Sequence, residues 1–153
     1  MKTIKISLSS LIIPLAMMLM SFSMKSDTKK VYMEGHDNLK FTVERIEAAP
    51  GQTIELTLKT VSNAPKETMA HNFVLLKKDA DVETFATESL SHRDNGYIEP
   101  EMEDEIIAQT AMLGGGESDT ITFTAPEEAG EYIYICTFPG HYMAGMKGKL
   151  IVK

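Results

Sequence analysis

The segment from Cys136 to Met146 carries a thiol (Cys136), an imidazole (His141) and two thioethers (Met143, Met146), interleaved with Pro139, Gly140 and Gly145. Thiolate, imidazole and thioether are soft or borderline donors, suited to copper or zinc rather than to magnesium or calcium. Pro139 and Gly140 bend the first half of the stretch and Gly145 loosens the second. A loop that leaves one strand and enters the next can therefore fold these donors around one point. One more nitrogen would complete a trigonal set of two histidines and a cysteine with a distant sulfur, the donor pattern of electron-transfer copper. His71, 65 residues before Cys136, supplies it from a separate segment. Asn72 beside it is placed to hydrogen-bond across to the cysteine loop and lock the two segments together.

The same residues admit plainer readings. Cys136 alone reads as a small buried hydrophobe, and His71 alone as a strand-end histidine. Cys136 with His141 or His71 as base would also make the nucleophilic pair of a cysteine hydrolase, although no oxyanion loop accompanies it and the methionine would have no role. A zinc or copper storage site would use the same donors without moving electrons. The short step from Cys136 to His141 favours a metal, but chemistry alone does not choose between Met143 and Met146. His36 and His92 fit no ligand spacing and read as solvent-facing loop residues, and Met33 and Met69 read as packing.

Donors that converge from position 71 and from positions 136 to 146 need a scaffold that brings distant segments to one end. Short runs of alternating apolar and polar residues, separated by turn residues, are the pattern of half-buried strands. Such strands are expected at Lys30–Gly35, closed by a turn at His36, Asp37 and Asn38, and at Leu39–Arg45, followed by the turn Ala49-Pro50-Gly51. Ile54–Thr60 follows, with Ile54, Leu56 and Leu58 on one face. His71–Leu76 reads as a short apolar strand that begins with the histidine, and Ile106–Met112, Ser118–Thr124 and Lys147–Lys153 as further strands. The strand from Glu131 runs directly into Cys136, with Tyr132, Tyr134 and Cys136 on one face and Ile133 and Ile135 on the other. Ala80–Leu90 loses the period of two and spaces Val82, Phe85, Ala86 and Leu90 as a short helix. About eight strands and one helical insertion predict an all-β, Greek-key sandwich.

Composition bounds the setting. Lys2 and Lys5 precede an apolar run from Leu11 to Phe22, the layout of a secretory signal peptide, with cleavage expected after Ser23. The run is shorter than the roughly 20 apolar residues of a spanning helix, so membrane attachment is expected only if the leader is retained. Residues 24–29 form a polar N-terminal segment and residues 30–153 a single domain, in a chain of 153 residues. The formal charge of −7 becomes −9 without Lys2 and Lys5, which argues against nucleic acid or an anionic membrane surface as partner. Cys136 is the only cysteine, so no disulfide forms within the chain and the thiol needs another explanation.

The string Cys136-Thr-Phe-Pro-Gly-His141 followed by Met146-Lys-Gly148, with His71-Asn-Phe-Val-Leu75 upstream, resembles the cupredoxins, specifically the azurin and auracyanin group. The likeness covers most of residues 30–153, helical insertion included. It implies one mononuclear type 1 (blue) copper with His71, Cys136 and His141 as equatorial ligands and Met146 as the axial one. Asn72, Thr137 and Phe138 surround them, and the Asn72 backbone bonds to the Cys136 sulfur. It further implies a monomeric, periplasmic electron-transfer protein and not an enzyme, one that shuttles single electrons by Cu(II)/Cu(I) cycling. Its partners would be redox proteins such as c-type cytochromes or a terminal reductase or oxidase. Tyr142, Met143 and Ala144 would form the apolar docking patch beside His141, and the acidic run Glu99–Glu105 would orient a basic partner. Three departures from azurin stand out. The step from His141 to Met146 is five residues, as in auracyanin and plastocyanin, where azurin has four. Ala70 replaces the glycine whose carbonyl contacts copper in azurin, so a contact from the Ala70 carbonyl is left open. The azurin disulfide has no cysteines here.

Overall fold

Residues 27–153 are described by a computed structural model. The expected leader (1–23) and its cleavage point lie outside the described residues, as does the start of the polar segment 24–29. Nine strands form among the described residues: β1 (Lys29–His36), β2 (Lys40–Phe41), β3 (Arg45–Ala48), β4 (Thr53–Val61), β5 (Val74–Leu76), β6 (Ile106–Gln109), β7 (Ser118–Thr124), β8 (Gly130–Ile135) and β9 (Lys147–Val152). They make two sheets, one ordered β2-β1-β4-β7 and the other β3-β9-β8-β5-β6. The pairs β1/β4 and β3/β9 are parallel and the rest antiparallel. The result is a Greek-key β-sandwich with a short helical insertion, as the alternating runs predict.

The period of two fills the space between the sheets. Val31 and Met33 of β1 and Ile54, Leu56 and Leu58 of β4 face Leu75, Tyr132, Tyr134, Leu150 and Val152 of the other sheet. Cys136 closes the same face of β8 at one end of this core, which is how the core holds the thiol in place. Ile135 points the other way, together with Val74 and Leu76, onto a second small core built with Phe85, Ala86 and Ile98. The helix α1 (Val82–Glu88) supplies Phe85 and Ala86 to it. Its start is set by Asp81, which accepts from the Thr84 N–H at 3.1 Å and from the Thr84 hydroxyl at 2.8 Å, an N-cap worth about 1 kcal/mol. The insertion thus clamps β5 and β8, the two strands adjoining the donor residues, from outside. Among the described residues no helix is long and apolar enough to cross a membrane.

Four elements depart from the sequence expectations. Leu39–Arg45 is not one strand: Lys40–Phe41 pairs in the first sheet, Arg45–Ala48 in the second, and the chain crosses between sheets at Thr42, Val43 and Glu44. The crossing is held by long-range contacts, among them the Tyr134 hydroxyl donating to the Val43 carbonyl at 2.7 Å. His71 stands before β5 as an isolated bridge to Leu113, and the strand itself begins at Val74. The strand expected to reach Met112 ends at Gln109. The acidic run, expected to orient a basic partner and assigned no regular structure from the sequence, forms a 3-10 helix over Pro100–Glu105, with the Glu99 carboxylate accepting from the Glu101 N–H.

Tyr134 is fully buried against Phe73 (ring centroids 4.9 Å) and Phe41 (5.8 Å). It lies so close to β9 that a Cβ on Gly148 would sit 2.3 Å from its hydroxyl oxygen and 2.4 Å from Cζ. Gly148→Ala is therefore expected to cost about 1–3 kcal/mol by overpacking. Urea unfolding measures the loss, and adding Tyr134→Phe, which removes the atom in closest contact, should recover part of it.

Candidate metal centre

β8 delivers Cys136 to the end of the sandwich, where its N–H donates to the Met146 carbonyl at 3.2 Å, joining the two ends of the loop. Between them the loop is folded by its own backbone: His141 N–H donates to Phe138 O (3.0 Å), Ala144 to Gly140 (2.9 Å), Gly145 to Tyr142 (2.9 Å) and Met146 to His141 (2.9 Å). His71 arrives from the other side, fixed by reciprocal backbone bonds with Leu113 at 2.9 and 2.8 Å. The two segments are stitched together by Asn72 and Thr137. The Asn72 Oδ1 accepts from the Thr137 N–H and its Nδ2 donates to the Thr137 hydroxyl, both at 2.8 Å and both buried. The bond expected across to the cysteine loop is present, twice over.

The donor atoms converge. His71 Nδ1 and His141 Nδ1 are 3.2 Å apart, and Cys136 Sγ lies 3.5 Å from His141 Nδ1 and 3.9 Å from His71 Nδ1. Donors about 2.0–2.3 Å from one ion in a trigonal plane stand about 3.5–3.8 Å from each other, so this triangle fits a single cation at its centre. All three residues are buried. Met146 is fully buried, whereas Met143 is 74 % exposed, so Met146 is the thioether kept with the donors. The Ala70 carbonyl oxygen lies 4.0 Å from Cys136 Sγ, at the edge of the group.

Electrostatics follow from burial. Loss of water holds both His71 and His141 down to about 4, and for His71 the neighbouring His141 charge adds to it. Both rings are neutral at pH 7 and free to donate lone pairs. Burial pushes the Cys136 thiol up to about 12, opposed by the N–H groups of Asn72 and Phe138. The thiol therefore yields its proton only to a strong positive charge. In the unfolded chain the histidines titrate near their usual 6.5, so between about 6.5 and 4 the unfolded state binds more protons. Stability of the metal-free protein is fully present above pH 6.5 and falls as pH drops through 4. The slope is up to about 1.4 kcal/mol per pH unit for each histidine. Urea midpoints of the metal-free protein at pH 7 and pH 4.5 measure it; equal midpoints would contradict the buried neutral pair.

The comparisons with known proteins agree with this geometry. Residues 27–153 match the profile of the copper binding proteins, plastocyanin/azurin family. The azurin of Pseudomonas fluorescens biotype C is 36% identical over 128 residues, which is 81% of this chain and 98% of that protein. The chain belongs to the plastocyanin/azurin family of copper binding proteins. Solved cupredoxins overlay it closely. Dithionite-reduced auracyanin from Roseiflexus castenholzii gives a TM-score of 0.72 at 35% identity, over 82% of this chain and 97% of that one. Auracyanin A, described as a "blue" copper protein from Chloroflexus aurantiacus, gives 0.73 at 32%, over 82% and 99%. As a member of this cupredoxin family the chain takes copper as its cofactor. Its His71, Cys136 and His141 cluster, with Met146, matches a single type 1 copper site.

Around the donors of this cupredoxin, Phe138 packs on the His141 ring at 4.7 Å and Tyr97 meets Phe138 edge-on at 5.5 Å. At the loop tip Met143 and Ala144 are exposed and Tyr142 is half-buried. His36 and His92 are not part of the donor cluster, and neither is a bare loop residue. His36 ends β1 and bonds to Glu34 at 3.0 Å, and His92 pairs with Glu99. Leu113 and Tyr97 were missed by sequence reasoning. Leu113 acts through its backbone and leaves no side-chain signature. Tyr97 takes a left-handed backbone, φ 59°, that its residue type does not announce.

Proposed function

We propose that this protein shuttles single electrons between redox proteins from a type 1 copper centre. His71 Nδ1, Cys136 Sγ and His141 Nδ1 would hold the copper, with the Met146 thioether as a fourth, softer donor, and the Ala70 carbonyl oxygen lies at the edge of this group, 4.0 Å from Cys136 Sγ. The observation that carries this reading is the buried triangle of two imidazole nitrogens and a thiol. Copper bound there supplies a one-electron Cu(II)/Cu(I) couple. The chain's own residues make that couple fast. The self-bonded loop and the Asn72–Thr137 clamp hold the donors in one arrangement, so little reorganisation accompanies the change of charge. The N–H groups of Asn72 and Phe138 steady the sulfur, and the surrounding apolar core excludes water.

His141 lies behind Tyr142, Met143 and Ala144, which form the docking patch through which electrons pass. The exposed carboxylates of Glu101, Glu103 and Asp104 favour a partner with a basic face, a c-type cytochrome or a terminal reductase or oxidase. Residues 1–23 direct export, placing the monomeric mature domain in the periplasm. A cysteine hydrolase is disfavoured because the Cys136 thiol is fully buried and held protonated, the opposite of an activated nucleophile. Titration of the metal-free protein with Cu(II) tests the reading. One equivalent should generate an intense visible copper–thiolate absorption, and a colourless product would contradict it.

A further inference from the structure

Outside the donor set, one structural element presses directly on it: the β1–β2 hairpin. A Cβ built on Gly35 would lie 2.8 Å from His71 Cδ2, 2.9 Å from His71 Cγ and 3.0 Å from Met146 Cε. Gly35 cannot retreat, because it is paired with Phe41 of β2 on one side and with Thr60 of β4 on the other. The Thr60 hydroxyl in turn donates to the Leu113 carbonyl at 3.0 Å, and Leu113 is the residue that fixes the His71 backbone. His71 Nε2 is buried with no hydrogen-bond partner among the described residues. On that side the ring is therefore oriented by packing against β1 rather than by a polar contact. The second strand of the hairpin reaches the same loop, since Lys40 Nζ donates to the Gly145 carbonyl at 3.0 Å. Gly145 immediately precedes Met146 and has a left-handed φ of 91°.

We infer that Gly35 and Lys40 are positioning residues for the axial side of the site: the bare backbone at Gly35 seats the Met146 thioether against the His71 ring, and Lys40 holds the Met146 end of the loop onto the hairpin. This rests on the copper reading above and adds the residues that set the axial geometry. A methyl group at Gly35 meets two neighbours of unequal freedom. The His71 ring is buried and its backbone is tied to Leu113, whereas the Met146 methyl is the free end of an unbranched chain. The methionine is displaced the more easily, so its sulfur moves relative to the plane of the other three donors, while the shorter contacts at His71 Cδ2 and Cγ are relieved only by a small shift of the ring or of β1. Lys40→Met releases the loop without adding an atom near the site. Axial sulfur geometry tunes blue-copper centres, so both changes act on the metal's spectrum and potential.

The test is visible absorption, electron paramagnetic resonance and voltammetry of the copper-loaded protein, with Gly35→Ala and Lys40→Met made separately and Gly35→Ala repeated in a Met146→Ala background. Both single variants should keep the copper–thiolate absorption but change the intensity ratio of its two bands and the rhombicity of the resonance, with a shifted potential. In the Met146→Ala background the Gly35→Ala effect should shrink, since one of the two groups the methyl presses on is gone and only the His71 contact remains. Single-variant spectra that superimpose on those of the unmodified protein would overturn the inference. So would an equal Gly35→Ala effect with and without Met146, which would assign the contact to His71 instead. Should Gly35→Ala fail to load, Lys40→Met decides alone. An unmodified protein without the thiolate band would overturn the copper reading itself, an outcome distinct from either of these.

Discussion

Cys136→Ser is expected to erase the visible copper–thiolate absorption completely and to leave copper held weakly by two imidazoles. The sulfur is one corner of a three-atom triangle with no substitute nearby: the thioether kept with the donors, Met146, carries no charge and cannot replace a thiolate. The metal-free fold should tolerate the change, because His141 Nδ1, 3.5 Å from Sγ, is close enough to partner a hydroxyl after a small shift. A buried hydroxyl with a partner leaves a loss of only about 1 kcal/mol. Absorption spectra and urea unfolding of the metal-free variant separate the two effects. A variant that stays blue would exclude Cys136 as the metal-bound sulfur.

Asn72→Ala is the second large effect, and it falls on both stability and the site. The substitution deletes two buried hydrogen bonds at once and leaves the Thr137 N–H with no partner in a place where Thr137 is 2 % exposed. Stranding a buried donor costs about 1–3 kcal/mol, with the second bond adding about 1. The metal-free protein should therefore lose about 2–4 kcal/mol in urea unfolding, and bound copper should leave faster, because the His71 and Cys136 segments no longer move as one. Thr137→Val, which removes only the hydroxyl, should cost the smaller part. An Asn72→Ala loss below about 0.5 kcal/mol, the scale of an ordinary surface substitution, would show that the clamp is not what joins the segments.

How much of this was legible beforehand depends on where each piece of information resides. The alternation of Ile54, Leu56 and Leu58, and of Tyr132, Tyr134 and Cys136, is local and reports burial directly, so the inner faces of β4 and β8 could be read off. The donors were legible because few residue types bind soft metals and four of them fall in a recognisable spacing. Partner choice was not legible. Leu39–Arg45 alternates like one strand, but its two ends pair in different sheets, a decision made by distant groups such as Tyr134 and β9. Leu39 also takes a left-handed φ of 58°, which turns the chain between β1 and β2 and goes against its residue type. In the acidic run, Pro100 after Glu99 is a helix-start signal, outweighed in the reading by the density of charge. Gly35 looked like an ordinary strand end, because a missing side chain matters only once its neighbours in space are known.

The most direct test of electron transfer is voltammetry of the copper-loaded protein on an electrode. A single reversible one-electron wave is predicted, with peaks that stay close together as the scan rate rises and that vanish in Cys136→Ser. A copper-loaded protein that gives no wave, or that loses its copper on reduction, would contradict the account and mark the site as one that stores metal instead of passing electrons.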